Sequence, residues 1–152
     1  MKARQNVLIS ACLMGVLCRY DGKNNMLNDL EALVEKINPV PFCPEVFGGL
    51  TTPREPAEII GKCVYAKNGA DVTKQFVRGA EECVKMARLM NCRFALMKAK
   101  SPSCGRGRIY DGTFQGVLKD GDGVTVRMLQ EAGITVFTEN EIDQMLKALK
   151  SV

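Results

Sequence analysis

The sequence predicts an α/β domain with a mainly parallel sheet of about four strands, and two observations lead to that prediction. Short apolar runs alternate along the chain with longer segments whose apolar residues recur at helical spacing, which is the element order of a parallel sheet covered by helices. The chain has 152 residues, of which 46% are hydrophobic and 25% charged, as expected for one globular domain with a substantial core. We therefore expect a single Rossmann-like domain of three layers over residues 1–152, with its first strand near the centre of the sheet.

The amino-terminal half predicts two strands of this sheet, a helix between them and a small hairpin. The strands are short apolar runs, the helix follows from leucines at helical spacing, and Asn68-Gly69 indicates a tight turn. Three prolines and a Gly-Gly pair exclude regular structure from most of residues 44–56. In chain order, the expected elements are a strand at 6–10, a helix at about 26–37, a strand at 39–42 and a hairpin within 61–73.

The carboxyl-terminal half continues the alternation of helices and strands. Thr73 and Asp122 are each at a position to cap the start of a helix, and Thr138 with Glu141 forms a capping-box pattern. In chain order, we expect a helix from Thr73 to about Asn91, a strand at 93–98, a hairpin-like excursion at 106–114, a helix near 123–132, a strand at 134–137 and a last helix that buries Ile142, Met145, Leu146 and Leu149.

The chain contains seven cysteines and no histidine. An odd number of cysteines in a chain of this length does not indicate a disulfide framework, so the thiols are interpreted as metal ligands, catalysts or small core residues. The lack of histidine excludes Ser-His and Cys-His nucleophile pairs and histidine-bound zinc. Acid–base chemistry therefore falls to carboxyl, hydroxyl, amino or thiol groups.

Charge and hydropathy limit the partners to be expected. The net charge of +4 is mild and no basic run marks a nucleic-acid groove. No signal peptide or long apolar segment is recognisable. We expect a small-molecule substrate, no nucleic-acid or membrane partner and a cytoplasmic location, whereas the oligomeric state does not follow from the sequence.

Three apolar runs each end at a cysteine, namely Cys12, Cys43 and Cys104. Because chemistry in an open parallel sheet collects outside the carboxyl ends of the strands, these thiols are expected to meet there as a soft, three-membered ligand set. Such a set suits zinc with an open position or an iron–sulfur cluster with one iron that the protein does not ligate, and the spacing does not decide between them. Cys18 lies in the same loop as Cys12 and stays undecided between the site and the core.

Several motifs in the order of the chain resemble the thiouracil desulfurase family. The resemblance extends from about residue 6 to 142. The motifs are Ser10-Ala11-Cys12-Leu13, Arg19-Tyr20-Asp21-Gly22, Cys43-Pro44-Glu45, Gly48-Gly49-Leu50, Thr52-Pro53-Arg54, Ser101-Pro102-Ser103-Cys104-Gly105 and Ile109-Tyr110-Asp111-Gly112-Thr113-Phe114.

The resemblance implies a 4Fe-4S cluster held by three cysteines, which match Cys12, Cys43 and Cys104 here. It implies acid–base residues that match Glu45 and Ser101. The implied reaction is the non-redox removal of sulfur from 2-thiouracil, which gives uracil and sulfide. Related proteins that act on thiolated transfer RNA carry a second domain, so a single domain favours a free thiolated pyrimidine.

Four further residues are expected to contact the substrate: Arg19, Tyr20, Arg54 and Ser103. For each, a structural role is the alternative; Glu45 in particular could instead be an ion-pair partner of Arg54. The helix near residue 123 could direct backbone N–H groups at the substrate. The alternative function is a non-catalytic sensor or structural module that binds an iron–sulfur cluster or zinc.

Overall fold

A computed structural model describes residues 3–152, and its elements alternate between strands and helices. In chain order they are β1 (Asn6–Ser10), a 3-10 helix (Ala11–Met14), α1 (Leu30–Val34), β2 (Asn38–Phe42), α2 (Pro44–Phe47), β3 (Ala57–Ile60), β4 (Cys63–Ala66), α3 (Thr73–Leu89), β5 (Phe94–Met97), β6 (Arg108–Tyr110), β7 (Leu118–Asp120), α4 (Val124–Glu131), β8 (Thr135–Thr138), a 3-10 turn (Glu139–Glu141) and α5 (Ile142–Lys150).

The main sheet has four parallel strands in the order β2-β1-β5-β8. This confirms the predicted fold class and the position of the first strand inside the sheet. Ser10 pairs with Phe42, and Ile9 pairs with Leu96. Because the strands are parallel and in this register, the segments that follow β1, β2 and β5 all leave the sheet at the same edge.

Helices cover both faces of the sheet, so the domain has three layers. The side chains of β1 alternate between the faces: Leu8 packs with Cys83 of α3 and Val126 of α4, whereas Val7 and Ile9 pack with a second cluster. That second cluster includes Leu33 of α1 and Met145 of α5. No helix within residues 3–152 is long and apolar enough to cross a membrane.

The predicted helix at 26–37 is wrong in its extent, because only Leu30–Val34 is helical. The backbone N–H of Asn25 donates to Cys12 O, and that of Leu27 donates to Leu13 O. These bonds hold residues 25–27 against the loop after β1, so Leu27 packs against the core without being part of a helix.

The predicted hairpin within 61–73 is displaced toward the amino terminus. Its first strand is β3, which pairs with β4 around Gly61. Asn68-Gly69 forms the turn of a smaller excursion, in which Tyr65 bridges to Asp71. The excursion after Gly105 is a second hairpin, in which β6 pairs with β7.

Of the three predicted capping residues, only the box at Thr138 and Glu141 is formed. Thr73 is the first residue of α3, and its hydroxyl accepts a hydrogen bond from Val64 N instead. Asp122 accepts from Gly107 N, and Gly123 takes the capping position of α4. A Cβ atom at residue 123 would lie 2.5 Å from the carbonyl carbon of Ser103, so the close approach of α4 to that loop requires glycine.

Two glycines seat α2 directly on α3. A Cβ atom at Gly79 would lie 1.8 Å from Pro44 O, and one at Gly48 would lie 2.0 Å from Gln75 O. The backbones of the two helices are therefore in contact. This contact fixes the start of α2, where Cys43 and Glu45 are located.

Candidate active site

The loops that leave the carboxyl edge of the sheet surround one cavity of about 490 Å³. This volume is in the range of small-molecule sites. All the residues that the sequence predicted for the site line this cavity: Cys12, Cys43, Cys104, Glu45, Ser101, Arg19, Tyr20, Arg54 and Ser103. The structure therefore brings the three predicted ligand thiols and the two predicted acid–base residues into one space.

Each of the three thiols follows a different strand. Cys12 lies in the 3-10 helix after β1, Cys43 lies between β2 and α2, and Cys104 lies in the loop after β5. Cys104 is buried, and burial raises the pKa of its thiol to about 12 in spite of hydrogen bonds from the Ser10 and Ser103 hydroxyls. The Ser103 Oγ atom lies 3.4 Å from Cys104 Sγ.

A fourth thiol, that of Cys18, lies among the other three in the cavity wall. It hydrogen-bonds to Cys12 and Cys43 and is the largest cause of the lowered pKa of both thiols, which for Cys43 falls to about 7. The same two contacts raise the pKa of Cys18 itself. Cys18 therefore lies at the site, and its carbonyl oxygen accepts a hydrogen bond from Cys43 Sγ at 3.8 Å.

Within residues 3–152, no three side chains of His, Cys, Asp or Glu are grouped so that they could hold a single metal ion. Every sulfur in the cavity is a soft donor, and none of them is in a disulfide.

Glu45 is joined to both serines of the loop after β5. Ser103 Oγ lies 3.1 Å from Glu45 Oε2, and Ser101 Oγ lies 3.1 Å from Ser103 Oγ. The Ser101 oxygen also accepts from the backbone N–H groups of Ser103 and Cys104, both at 3.1 Å. The Ser101 hydroxyl proton therefore remains available for Ser103 or for a ligand, and the three side chains form a continuous chain for proton movement.

Arg54 connects three segments of the cavity wall. Its Nε donates to Glu45 Oε1 at 3.2 Å, and its Nη2 donates to Cys18 O at 2.8 Å. Its Nη1 donates to Thr51 O and to Thr52 Oγ1. The guanidinium group is thus largely occupied by the protein, and the alternative ion pair between Glu45 and Arg54 is formed.

Arg19 and Tyr20 lie together in the loop after β1. Arg19 donates to Asp21 Oδ2 at 2.9 Å and to Asn25 Oδ1 at 3.0 Å. Tyr20 is 44% exposed, and the centroid of its ring lies 6.0 Å from the Arg19 guanidinium carbon. Tyr20 therefore has the freer side chain of the two.

Lys98 and Ser10 also line the cavity and were not predicted as site residues. Lys98 Nζ lies 2.7 Å from Glu139 Oε2, and its charge contributes to the lowered pKa of Cys12. The Ser10 hydroxyl accepts from Lys98 N at 2.9 Å. Ser10 ends β1 and Lys98 directly follows β5, and a position at the carboxyl end of a parallel strand is the signal that could have identified both.

The sequence suggested that the amino terminus of α4 directs its N–H groups at the cavity. In the structure it does not. Val124 N donates to Pro102 O at 2.9 Å, and Thr125 N donates to Ser103 O at 3.0 Å. The free N–H groups of the first turn are thus bonded by carbonyl groups of the loop that carries Cys104. The helix therefore holds in place the loop that carries Cys104.

Comparison with known proteins places this site in a family. A family model described as 2-thiouracil desulfurase matches residues 7–141. The uncharacterized protein YbbK of Bacillus subtilis (strain 168) is 40% identical over 92% of this chain and 99% of its own length. A solved structure described as the 4Fe-4S-dependent thiouracil desulfidase TudS is 45% identical, with a TM-score of 0.93, and the match covers 98% of this chain and 100% of that one.

Proposed function

This chain belongs to the 2-thiouracil desulfurase family, and we propose that it removes the sulfur atom from a thiolated pyrimidine such as 2-thiouracil. Water supplies the oxygen that replaces sulfur, and the products are uracil and sulfide. No electrons are gained or lost overall, so no redox partner is needed. The observation that supports this proposal most directly is that Glu45, Ser103 and Ser101 form a hydrogen-bonded chain in the cavity that also holds the thiols.

The donor set of the cavity fits a 4Fe-4S cluster, as named for the TudS structure. Three thiols on three separate loops would hold it, namely Cys12, Cys43 and Cys104. Iron–sulfur clusters take thiolate ligands, and three of them leave one iron without a protein ligand. When bound, the cluster supplies a Lewis-acidic iron position that favours a sulfur donor.

Glu45 is proposed to be the general base and acid of the reaction. Its carboxylate takes up a proton from the attacking water and returns one to the departing sulfur or to the ring nitrogen. Arg54 fixes one carboxylate oxygen by the contact at 3.2 Å, so the other oxygen is directed to Ser103. The proton is thereby held at a defined place in the cavity.

Ser101 is proposed to contact the edge of the pyrimidine. Because backbone N–H groups occupy acceptor positions of its oxygen, its hydroxyl is oriented to donate. Ser103 links it to Glu45, which lets a proton pass from the carboxyl group to the ring without entering bulk water. This arrangement supports an enzyme rather than the alternative expectation, a non-catalytic module that binds an iron–sulfur cluster or zinc.

Anaerobic reconstitution tests the proposed function. The protein is loaded with iron and sulfide, its iron and absorption spectrum are measured, and uracil and sulfide release from 2-thiouracil are followed. We expect equal amounts of uracil and sulfide without added reductant. Cys63→Ala serves as the control, because Cys63 is not among the residues that line the cavity. A protein with a full complement of iron and no release of either product would refute the proposal.

A further inference from the structure

The loop between β6 and β7 is held by a carboxylate that the proposed reaction does not use. Glu58 of β3 is only 8% exposed. Its Oε1 atom accepts hydrogen bonds from Gly112 N at 2.9 Å and from Phe114 N at 3.1 Å. A carboxylate is rarely buried without partners, so these two bonds attach the loop firmly to the first hairpin.

The same loop holds an aromatic residue in a strained backbone conformation. Phe114 has φ 57°, which bulky side chains seldom adopt. Gly112 has φ 95°, and a Cβ atom there would lie 2.9 Å from Ile60 Cγ1 and 3.0 Å from Ile59 O. The loop therefore rests directly on the β3–β4 hairpin. Strain of this kind persists where the surroundings enforce it, which is common at ligand contacts.

The strained residue lies in the wall of the active-site cavity. Phe114, Tyr110 and Gly116 of the second hairpin line the cavity together with Glu58 of the first. The thiols reach the same cavity from the loops that follow β1, β2 and β5. The hairpins thus supply a separate, partly aromatic wall to a space whose other walls carry sulfur and hydroxyl groups.

From these contacts we propose that Phe114 determines specificity for a planar ring and that Glu58 is the positioning residue that holds it. The Phe114 ring packs on the face of the pyrimidine, where stacking is favourable for any aromatic base. Ser101 and Glu45 recognise the polar groups at the edge of the substrate by hydrogen bonds. Phe114 selects a planar ring by stacking on its face. The inference rests on the proposed function, because it names the residue that selects the substrate of that reaction.

Two ligands separate binding of the ring from the reaction. The first is uracil, the product, whose binding to the cluster-loaded protein is measured by calorimetry without turnover. The second is 5,6-dihydro-2-thiouracil, which carries the same thiocarbonyl edge on a puckered ring. We expect Phe114→Ala to raise the Kd for uracil and the KM for 2-thiouracil about tenfold, with kcat changed far less. The preference for 2-thiouracil over its dihydro form should largely disappear, and Phe114→Leu should fall between.

Glu58 is tested by variants that differ in their ability to accept a hydrogen bond. Glu58→Ala should raise KM as Phe114→Ala does and should speed hydrogen exchange at the Gly112 and Phe114 amides. Glu58→Gln keeps an acceptor oxygen and should change both less. Glu55→Ala is the matched control, because Glu55 is an exposed glutamate on the same segment. Thermal melting and iron content of each variant show whether it is folded and loaded.

The outcomes distinguish this inference from the proposed function. If Phe114→Ala and Phe114→Leu, both folded, keep the uracil Kd and the preference for the planar substrate, the role of Phe114 is refuted. If Phe114→Ala weakens uracil binding but the unmodified protein releases no sulfide from 2-thiouracil, the proposed reaction is refuted and ring recognition by Phe114 is supported. If the protein turns over 2-thiouracil but binds uracil equally with or without the Phe114 ring, the role of Phe114 is refuted and the proposed reaction is supported.

Discussion

The Ser103 hydroxyl lies 3.1 Å from the Glu45 carboxylate and 3.4 Å from the Cys104 thiol. One hydroxyl proton cannot be donated to both at once, so Ser103 couples the proposed acid–base residue to a proposed cluster ligand. Ser103 is 1% exposed. Its role as a direct substrate contact stays a prediction, and these contacts support a further role in relaying and positioning the proton.

Ser103→Ala tests this coupling. Removal of the hydroxyl interrupts the chain from Glu45 to Ser101, and proton transfer by a positioned group is worth about 10²–10⁴-fold in rate. We expect kcat to fall by at least about tenfold, with KM and iron content nearly unchanged. Ser103→Thr keeps the hydroxyl and should recover part of the rate. A rise in KM at constant kcat would show instead that Ser103 binds substrate.

Glu45→Gln removes the proton acceptor but keeps the shape of the side chain. We expect kcat for sulfide release to fall by about 10²-fold or more, while iron content and absorption stay as in the unmodified protein. The control is Glu55→Gln, which changes an exposed carboxylate outside the cavity. Full activity of the Glu45 variant would remove Glu45 from the mechanism.

The iron content of cysteine variants distinguishes the proposed cluster ligands from Cys18. Cys12→Ala, Cys43→Ala and Cys104→Ala should each lose most of the iron after anaerobic reconstitution, because each removes one proposed ligand. Cys18→Ala should keep most of it, because Cys18 lines the cavity but is not one of the three proposed ligands. Iron loss in the Cys18 variant equal to that in the other three would make Cys18 a ligand.

Arg54→Lys tests whether the guanidinium group positions Glu45. A lysine keeps the positive charge but cannot reproduce the fork of donors that reaches Glu45, Cys18 O and Thr52. We expect lower thermal stability and a lower kcat with little change in KM. A change confined to KM would instead support the predicted role of Arg54 in substrate binding.

The sequence was sufficient to predict that three particular thiols line one cavity, because each of them follows a strand of the parallel sheet. Cys12, Cys43 and Cys104 each come after an apolar run, and a parallel sheet brings such positions to one edge. The 3.6-residue spacing that predicted the helix at 26–37 was misleading, because hydrogen bonds from Asn25 and Leu27 to the preceding loop compete with helical ones. Such tertiary contacts leave no local pattern.

The contacts of Glu58 and of the α4 amino terminus could not be predicted from the sequence, because they also join residues that are far apart in the chain. Glu58 and Gly112 are 54 residues apart, and nothing in the neighbourhood of either residue indicates the other. The amino terminus of α4 was expected to face the ligand because a helix start attracts anions. In the structure, the carbonyl groups of Pro102 and Ser103 accept hydrogen bonds from the N–H groups of this helix start. Only the folded arrangement shows these bonds.

Gly79→Ala tests whether the contact between α2 and α3 positions the carboxylate of Glu45, the proposed acid–base residue. Alanine favours a helix over glycine by about 1 kcal/mol, so local propensity alone predicts a more stable protein. The added Cβ atom, however, would lie 1.8 Å from Pro44 O, and the overlap can be relieved only by moving the backbone of α2. Overpacking of this kind typically costs about 1–3 kcal/mol.

We expect a lower melting temperature of the Gly79→Ala protein and, because Glu45 moves with α2, a lower kcat at unchanged iron content. Arg78→Ala, at the exposed neighbouring position, should leave both unchanged. A Gly79→Ala protein that is more stable and fully active would show that α2 is not seated by this contact.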